Sequence, residues 1–358
     1  MTRVVMAAGG TGGHVFPALA VAEELRSRGV EVTFVGSSGG MESRVVPERG
    51  FALEVLGMQA LRGSGWRGWL ALPARLGRAL AAAIGLLRRL RPSAVVAMGG
   101  YAAAPVGLAA GLMGRRLVVH EQNAVPGLTN RLLRPFARAI LTGFPEAAEA
   151  LGRKAEWVGT PVRGELSPLA ETGERTGDRE GPLRVLAFGG SQGARFLNER
   201  LPMALARARP AIGLTVRHQA GRGRARAVLD AYGEAGVEAD VTPFIDDMRA
   251  ALAWCDLAFC RAGASTVAEL ASMGVPAVLV PFPHAVDDHQ RRNAEALVSR
   301  GAAVCIPQSE WDDEAVAARL DGDLGDRTVL ARMGDAARGF ARPDAAARVA
   351  DACEGRGL

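Results

Sequence analysis

Residues 6–24, MAAGGTGGHVFPALAVAEE, decide the fold of this chain. Residues 3–6, ahead of the glycines, predict a short buried strand, and residues 17–28 have the pattern of an amphipathic helix that ends at Gly29. The glycines lie where strand turns into helix, so the backbone can fold sharply and a ligand can come close to its N–H groups. The positive end of the helix dipole favours anions, and phosphate above all. The stretch therefore predicts an anion-binding turn.

One ionisable side chain, His14, stands among these glycines. Because histidine titrates near neutral pH, His14 is the candidate proton acceptor of the loop. The loop alone leaves its ligand open, since it lacks the final small residue of the dinucleotide fingerprint. A tight strand–helix turn with Thr11 as a helix cap is an interpretation of equal weight.

Composition limits the classes of protein to which the chain can belong. With 358 residues, 49% of them hydrophobic and 23% charged, it is long enough for two folded domains, and its net charge of +5 favours an anionic partner. Lys154 is the only lysine, which excludes a Walker A lysine. The four cysteines form no zinc-type pair, and Asp287 and Asp288 lack a third ligand at metal spacing, so we expect neither metal nor cofactor. We also expect no nucleic-acid partner, and a cytoplasmic protein without a signal peptide.

Strands and helices alternate along the first half, which predicts a parallel sheet with helices on both faces. A segment rich in Gly, Pro and charge covers residues 167–182, and residues 183–193 then repeat the opening order of strand followed by glycine turn. We therefore predict an α/β protein with two Rossmann-like domains that face each other across a cleft. The predicted domains are residues 1–163 and 164–340.

Polar residues follow two further predicted strands of the first half. Tyr101 comes after Gly99-Gly100, and Glu121-Gln122-Asn123 comes after residues 117–120. The carboxyl ends of parallel strands are where open α/β sheets bind ligands, so Tyr101, Glu121 and Asn123 are candidate ligand contacts. Asn123 can equally be a helix cap ahead of Pro126.

Two patterns in the second half allow more than one interpretation. Thr266-x-x-Glu269 matches a capping box, yet a carboxylate one turn into a helix is also well placed to bind a ribose diol. Residues 189–193 match the G-x-S-x-G elbow of serine hydrolases, in which Ser191 is the nucleophile. We favour a phosphate-binding turn there, because the hydrolase reading leaves the first half without a role.

A basic and apolar segment lies between residues 54 and 121, where the chain has no acidic residue. Within it, Trp66 and Trp69 lie beside Arg67, a combination that suits contact with the anionic headgroups of a membrane surface. In the helix that follows, four apolar residues share one face, which we predict to pack against the core: Leu76, Leu80, Ile84 and Leu87.

Seven short motifs, taken together and in order, resemble the MurG family, the peptidoglycan GlcNAc transferases of bacteria. They are GGTGGH (9–14), GGY (99–101), HEQN (120–123), GGSQGA (189–194), FIDDM (244–248), CRAGA (260–264) and DHQRRN (288–293). The resemblance implies a GT-B fold in which a helix at about 341–358 packs back on the first domain. It also implies an inverting transfer of GlcNAc from UDP-GlcNAc to the 4-hydroxyl of MurNAc in lipid I (undecaprenyl-pyrophosphoryl-MurNAc-pentapeptide), which forms lipid II. The enzyme would act as a peripheral protein at the cytoplasmic face of the inner membrane.

The resemblance further implies which residues bind each substrate. The implied donor contacts are Thr11, Gly12, Gly13, Asn123, Arg163, Ser191, Ile245, Ala264, Ser265, Thr266, Val267, Ala268, Glu269 and Gln290. Ile245 would meet the uracil, Glu269 the ribose, and Ser191 with the helix start at residues 263–266 the diphosphate. Either Gln290 or His289 would contact the sugar. His14, Tyr101 and Glu121, with Asn123, would face the acceptor, and His14 is the candidate base.

Three other classes compete with this function. They are a serine hydrolase that uses Ser191, a nicotinamide oxidoreductase, and a protein that binds a nucleotide sugar without catalysis.

Overall fold

The computed structural model describes residues 2–37, 39–56, 72–166, 179–190, 193–209 and 212–356, without the side chains of Leu72, Pro73 and Glu165. The chain divides into two compact units. Unit 1 comprises Met1–Gly164 and Arg342–Leu358, and unit 2 comprises Glu165–Ala341.

Unit 1 is built from alternating strands and helices. In chain order they are β1 (Arg3–Ala7), α1 (Gly12–Ser27), β2 (Glu31–Ser37), α2 (Glu42–Glu48), β3 (Ala52–Leu56), α3 (Leu72–Leu90), β4 (Ala94–Ala97), α4 (Ala103–Leu112), β5 (Arg116–Glu121), α5 (Leu128–Leu133), β6 (Ala139–Thr142), α6 (Pro145–Leu151) and β7 (Ala155–Trp157). A single 3₁₀ turn, Arg134–Phe136, follows α5 directly. The strands form one parallel sheet in the order β3-β2-β1-β4-β5-β6-β7.

Unit 2 repeats this architecture. Its elements are β8 (Leu183–Phe188), α7 (Arg195–Arg207), β9 (Leu214–Gln219), α8 (Ala225–Glu234), β10 (Ala239–Thr242), α9 (Met248–Trp254), β11 (Leu257–Cys260), α10 (Ala264–Met273), β12 (Ala277–Leu279), α11 (His289–Val298), β13 (Ala303–Cys305), α12 (Asp313–Asp321) and α13 (Arg327–Phe340). Its parallel sheet has the order β10-β9-β8-β11-β12-β13. The predicted α/β class with two Rossmann-like sheets is confirmed.

The sheet of unit 1 is covered on both faces. Along β1, Val4 and Met6 pack into the cluster that contains Leu19 of α1, while Val5 packs into the opposite cluster with Leu87 of α3. Burial of both faces explains why the strand is continuously apolar instead of alternating. In both sheets the strand order reverses beside the first strand, β1 or β8, and such switch points are where open α/β sheets bind ligands.

The last helix, α14 (Ala345–Glu354), completes the core of unit 1. Val349 packs in the same cluster as the β1 side chains. At the edge of this contact, Arg28 of α1 donates hydrogen bonds to Asp351 at 2.6 Å and to Glu354 at 2.8 Å. The helix is therefore held by apolar burial and by charge-assisted hydrogen bonds.

Two helices begin earlier in the chain than predicted. The first, α1, begins at Gly12 and not at residue 17, because Gly12 and Gly13 adopt helical conformations and extend the helix into the loop. The second, α10, begins at Ala264 with Gly263 as its N-cap, so Thr266 lies inside the first turn. The capping-box interpretation of Thr266 and Glu269 is therefore wrong, because a capping box needs its threonine at the N-cap.

The predicted core face of α3 is confirmed at Leu80, Ile84 and Leu87, which pack in or against the core cluster, and is wrong at Leu76. Leu76 is 49% exposed, whereas Ala79, Ala83, Leu86 and Leu87 are buried. Small alanine side chains allow the helix to approach its neighbours closely, so the alanine face is buried and the bulkier Leu76 remains in solvent.

Candidate active site

Two glycine turns of unit 1 meet at the switch point of its sheet. A Cβ on Gly99 would lie 2.9 Å from the His14 ring, and a Cβ on Gly100 would lie 2.3 Å from the carbonyl oxygen of Gly9. Both Gly99 and Gly100 have positive φ, at +91° and +84°. Only glycine satisfies these two conditions together, so the β4–α4 turn fits closely against the β1–α1 turn.

This contact places His14 at the carboxyl edge of the sheet, as the third residue of α1. The ring is half-buried, and its Nδ1 lies 3.5 Å from the hydroxyl oxygen of the exposed Thr11. Thr11 is the N-cap residue by position, but its side chain makes no capping hydrogen bond. The site thus combines an imidazole with the backbone N–H groups of a helix start, which can receive a proton and bind an anion respectively.

Glu121 does not lie on an open surface, which corrects the expectation that it faces the acceptor directly. It is 2% exposed. Its Oε1 accepts a hydrogen bond from the Asn123 N–H at 2.9 Å, and its Oε2 accepts from the Gly127 N–H at 2.9 Å and from Asn130 Nδ2 at 2.8 Å. The carboxylate therefore shapes the loop that carries Asn123 and ends at the start of α5.

Two other predicted residues of unit 1 border these loops. Tyr101 follows Gly100 and is 42% exposed, so its ring is available to a ligand. The guanidinium of Arg163 lies 5.1 Å from the ring centre of Phe16 in α1, and a Cβ on Gly12 would lie 3.1 Å from the same ring. Phe16 therefore connects Arg163 with the start of α1.

In unit 2, the switch point is formed by the β8–α7 and β11–α10 loops. Gly193 has a φ of +71°, and a Cβ there would lie 2.4 Å from the carbonyl oxygen of Ala220. The Gly189 N–H donates to Gln219 Oε1 at 3.3 Å. The predicted donor contact and rival nucleophile, Ser191, lies outside the described residues.

A buried histidine is linked by hydrogen bonds to the backbone against which the β8–α7 loop packs. His218 Nε2 donates to Asn198 Oδ1 at 3.0 Å, and its Nδ1 accepts from the Tyr232 hydroxyl at 2.9 Å. Asn198 Nδ2 in turn donates to Ala220 O at 2.8 Å, the same oxygen against which Gly193 packs. Burial lowers the pKa of His218 to about 4, so the ring is neutral.

The start of α10 has the features of an anion site. The first turn carries no acidic residue, and the hydroxyl oxygen of Ser265 is buried with no hydrogen-bond partner among the described residues. The loop ahead of it is fixed, because the fully buried Asn293 donates from Nδ2 to Ala262 O at 3.1 Å. A buried hydroxyl and first-turn N–H groups on a fixed loop suit a phosphate.

The remaining side chains of this helix divide between core and site. Val267 is completely buried and Ala264 nearly so, which limits them to backbone contacts with a ligand. The half-buried Ala268 has only a methyl group to offer. Glu269, one turn after Ser265, is also buried, and its carboxylate is the one acidic group of α10.

The other predicted residues of unit 2 lie on one loop, which carries Ile245, and at the start of α11, which carries His289 and Gln290. Ile245 is half-buried in the loop between β10 and α9. Gln290 Oε1 accepts from the Phe282 N–H at 2.9 Å, so its carbonyl group fixes the loop after β12. His289 Nδ1 donates to Val286 O at 2.7 Å. Both side chains thus have local partners, and the choice between them as the sugar contact stays a prediction.

Sequence reasoning missed Glu42, a fully buried carboxylate at the start of α2. It accepts hydrogen bonds from Gly10 in the β1–α1 loop and from Ser37. The sequence does contain glycines after β1 and near the end of β2, followed by a glutamate, and this pattern could have pointed to Glu42. Trp66, Arg67 and Trp69, the predicted membrane contacts, lie outside the described residues.

The two halves of the chain match the two domains of one enzyme family. Residues 4–142 match the glycosyltransferase family 28 N-terminal domain, and residues 184–349 match the glycosyltransferase family 28 C-terminal domain. The chain belongs to glycosyltransferase family 28.

Individual relatives within the family are similar to this chain over nearly its whole length. The chain is 53% identical, over 98% of its length and 96% of the relative's, to the UDP-N-acetylglucosamine–N-acetylmuramyl-(pentapeptide) pyrophosphoryl-undecaprenol N-acetylglucosamine transferase of Acidithiobacillus ferrooxidans. It is also 53% identical to the protein of the same name from Alkalilimnicola ehrlichii, over 98% of each chain. The crystal structure of Acinetobacter baumannii MurG is similar with a TM-score of 0.83 and 37% identity, over 99% of this chain and all of that one. The predicted GT-B class and the resemblance to the MurG family are confirmed.

Proposed function

We propose that this chain is an inverting hexosyltransferase that moves GlcNAc from UDP-GlcNAc to the 4-hydroxyl of MurNAc in lipid I and so forms lipid II. One observation carries the proposal: the chain is 53% identical, over nearly its full length, to relatives that are named for this transfer. The structure supports it with a histidine-bearing anion turn in unit 1 and an anion site at the start of α10 in unit 2.

In unit 2, the start of α10 would bind the diphosphate of the donor. First-turn N–H groups and the Ser265 hydroxyl are the donors available to phosphate oxygens, with Thr266 beside them. Glu269 would accept hydrogen bonds from the ribose hydroxyls, and the backbone at Ile245 would meet the uracil. Gln290 or His289 would contact GlcNAc.

In unit 1, His14 would act as the general base. It would take the proton of the acceptor 4-hydroxyl as that oxygen bonds to C1 of GlcNAc, while the bond from C1 to the diphosphate oxygen breaks. Attack on the face opposite the leaving group inverts the configuration at C1. UDP departs with the electron pair, and the α10 N–H groups stabilise the charge that develops on the diphosphate.

The described part of the chain contains no group of three His, Cys, Asp or Glu residues that could hold a metal ion. In this proposal the fixed dipoles at the start of α10 stabilise the departing diphosphate.

An exposed apolar surface of unit 1 supports binding to a membrane. We call it the α5 surface: Leu112, Leu128, Leu132 and Phe136, fringed by Arg131, Arg134 and Arg138. Leu128 is 72% and Leu132 62% exposed, one helical turn apart, and all three arginines are exposed. Phe136 lies against Gly111, next to Leu112, because a Cβ on Gly111 would be 2.6 Å from Phe136 Cβ.

None of the described helices is both long enough and apolar enough to cross a bilayer. Exposed leucines surrounded by arginines suit the headgroup region of an anionic membrane, with the apolar side chains inserted and the guanidinium groups on phosphates. The enzyme would thus bind as a peripheral protein to the cytoplasmic face of the inner membrane, where its lipid acceptor lies. Trp66, Arg67 and Trp69 remain predicted membrane contacts.

A transfer assay with purified protein, radiolabelled UDP-GlcNAc and lipid I tests the proposal. Label should appear in a lipid product that contains both sugars, with release of one UDP per GlcNAc transferred. Calorimetric titration with UDP-GlcNAc, UDP-glucose and NAD separates the rivals. Binding of UDP-GlcNAc without transfer would favour a binding protein, binding of NAD instead an oxidoreductase, and labelling of Ser191 by a fluorophosphonate a hydrolase.

A further inference from the structure

Glu42 holds two loops of unit 1 with one buried carboxylate. Its Oε2 accepts a hydrogen bond from the Gly10 N–H at 3.0 Å. Its Oε1 accepts from the Ser37 N–H at 2.9 Å and from the Ser37 hydroxyl at 2.8 Å. Both oxygens are therefore engaged, one by the β1–α1 loop and the other by the end of β2.

Three glycines enclose this carboxylate. A Cβ on Gly9, Gly36 or Gly40 would lie 2.6, 2.5 or 2.2 Å from the nearest side-chain atom of Glu42. Such distances are far below van der Waals contact, so a side chain at any of the three positions would displace the Glu42 carboxylate from its hydrogen bonds. The β1–α1 loop and the end of β2 with the turn after it are thus shaped around one glutamate.

The carboxylate carries a charge. Burial alone would raise the pKa of Glu42, but the hydrogen bonds from Ser37 and Gly10 outweigh it and hold the pKa below its usual value. A buried anion is tolerated only where donors point at it, so its charge fixes the direction of the Gly10 N–H.

The fixed Gly10 determines the start of α1. The next residue, Thr11, accepts a hydrogen bond at its carbonyl oxygen from the His14 N–H at 3.1 Å. On the other side of Gly10, the Gly9 carbonyl packs against Gly100. A shift of Gly10 would therefore move both the first turn of α1 and the contact that seats the imidazole.

We propose that Glu42 is a positioning residue, whose carboxylate between Gly10 and Ser37 fixes the β1–α1 loop and thereby the placement of the His14 imidazole. The inference rests on the proposed function, because it takes His14 as the base. Glu42 itself acts only through the loop.

A double-mutant cycle tests this role. Glu42→Gln keeps the shape of the side chain but turns an amide N–H₂ toward one of the three donors, so we expect kcat to fall about 10- to 100-fold through misplacement of the base. In the His14→Ala background the same change should lower kcat less than about threefold, because the group that Glu42 positions is already absent. Because Thr11, Gly12 and Gly13 of the same loop are implied donor contacts, kcat is measured at saturating UDP-GlcNAc, so that a change in donor affinity does not enter the comparison. The matched control, Glu48→Gln, alters an exposed glutamate of the same helix and should leave kcat unchanged.

An equal fold-loss in both backgrounds would overturn the proposal, because it would show a general structural role. If Glu42→Gln does not fold, Ser37→Ala replaces it in the cycle, since it removes only the hydroxyl donor; a loss of about two- to fivefold is then expected, again confined to the background with His14. If the wild-type protein transfers no GlcNAc at all, the proposed function fails instead. Hydrogen exchange in residues 3–16 then decides the role of Glu42: faster exchange in Glu42→Gln than in Glu48→Gln supports it, and equal exchange refutes it.

Discussion

Replacing His218 by glutamine should remove a large part of the acid sensitivity of unit 2. The wild-type imidazole is buried between Asn198 and Tyr232 and has a pKa of about 4, against about 6.5 for an exposed histidine. Glutamine can keep one donor and one acceptor at this site, but it does not titrate.

The magnitude follows from proton linkage. Because the folded pKa is lowered, the unfolded chain binds a proton below pH 6.5 that the folded chain does not bind until about pH 4. The stability is therefore fully present above pH 6.5 and is lost as the pH falls toward 4, at about 1.4 kcal/mol per pH unit. Between pH 7 and pH 5 the wild type should lose about 2 kcal/mol of unfolding free energy through this residue alone.

Urea unfolding followed by tryptophan fluorescence measures the effect, with Trp311 as a reporter in the core of unit 2. From pH 7 to pH 5 we expect the wild type to lose about 2 kcal/mol more unfolding free energy than His218→Gln, so the gap between the two proteins changes by that amount. The control, His284→Gln, removes an exposed histidine of the same unit and should leave the wild-type pH dependence in place. A gap that stays constant between the two pH values would show that the buried His218 does not make unit 2 sensitive to acid.

Three further predictions concern function. His14→Ala should lower kcat at least about tenfold, the lower side of what a general base supplies, while calorimetry shows UDP-GlcNAc binding retained; a smaller loss of turnover would show that His14 is not the base. Glu269→Gln should weaken UDP-GlcNAc binding about 10- to 100-fold through loss of a charged hydrogen bond, whereas Glu310→Gln on the surface should not change the Kd; equal affinities in a titration would contradict the ribose contact. Replacing Leu128 and Leu132 by serine should lower binding to phosphatidylglycerol vesicles about 10- to 100-fold and spare turnover of a water-soluble acceptor. The control for that pair is Leu229→Ser, an exposed leucine of unit 2, and undiminished vesicle binding by the pair would refute the α5 surface.

The sequence predicted the two parallel sheets because apolar runs and glycine turns are local signals. It did not predict the features that depend on tertiary contacts, namely the starts of two helices and the burial of particular side chains. The helix starts at Gly12 and Ala264 depend on how each loop is held, and the burial of Glu121 depends on donors up to nine residues away in the chain. The role of Glu42 depends on Gly9 after β1 and on Gly36 and Gly40 at the end of β2, two separate segments whose contact with one carboxylate only the folded structure shows.

The candidate sites show the same division. The glycines and the histidine in residues 9–14 predict an anion-binding turn with a base, because glycine exposes backbone N–H groups to a ligand and histidine accepts a proton near neutral pH. The supports beneath it are ordinary residues of the interior, such as Asn293, whose amide holds the loop before α10. Their roles become apparent only from hydrogen bonds between distant segments.

The position of α14 has a consequence for synthesis on the ribosome. Unit 1 is translated first, yet its apolar core is missing Val349, Ala350, Ala352 and Cys353 until nearly the whole chain has emerged. Unit 2, which is continuous in sequence, can close its core sooner. Unit 1 is thus synthesised first but completes its folding last. Until α14 has been synthesised, one face of the unit 1 sheet stays partly uncovered and is prone to aggregation.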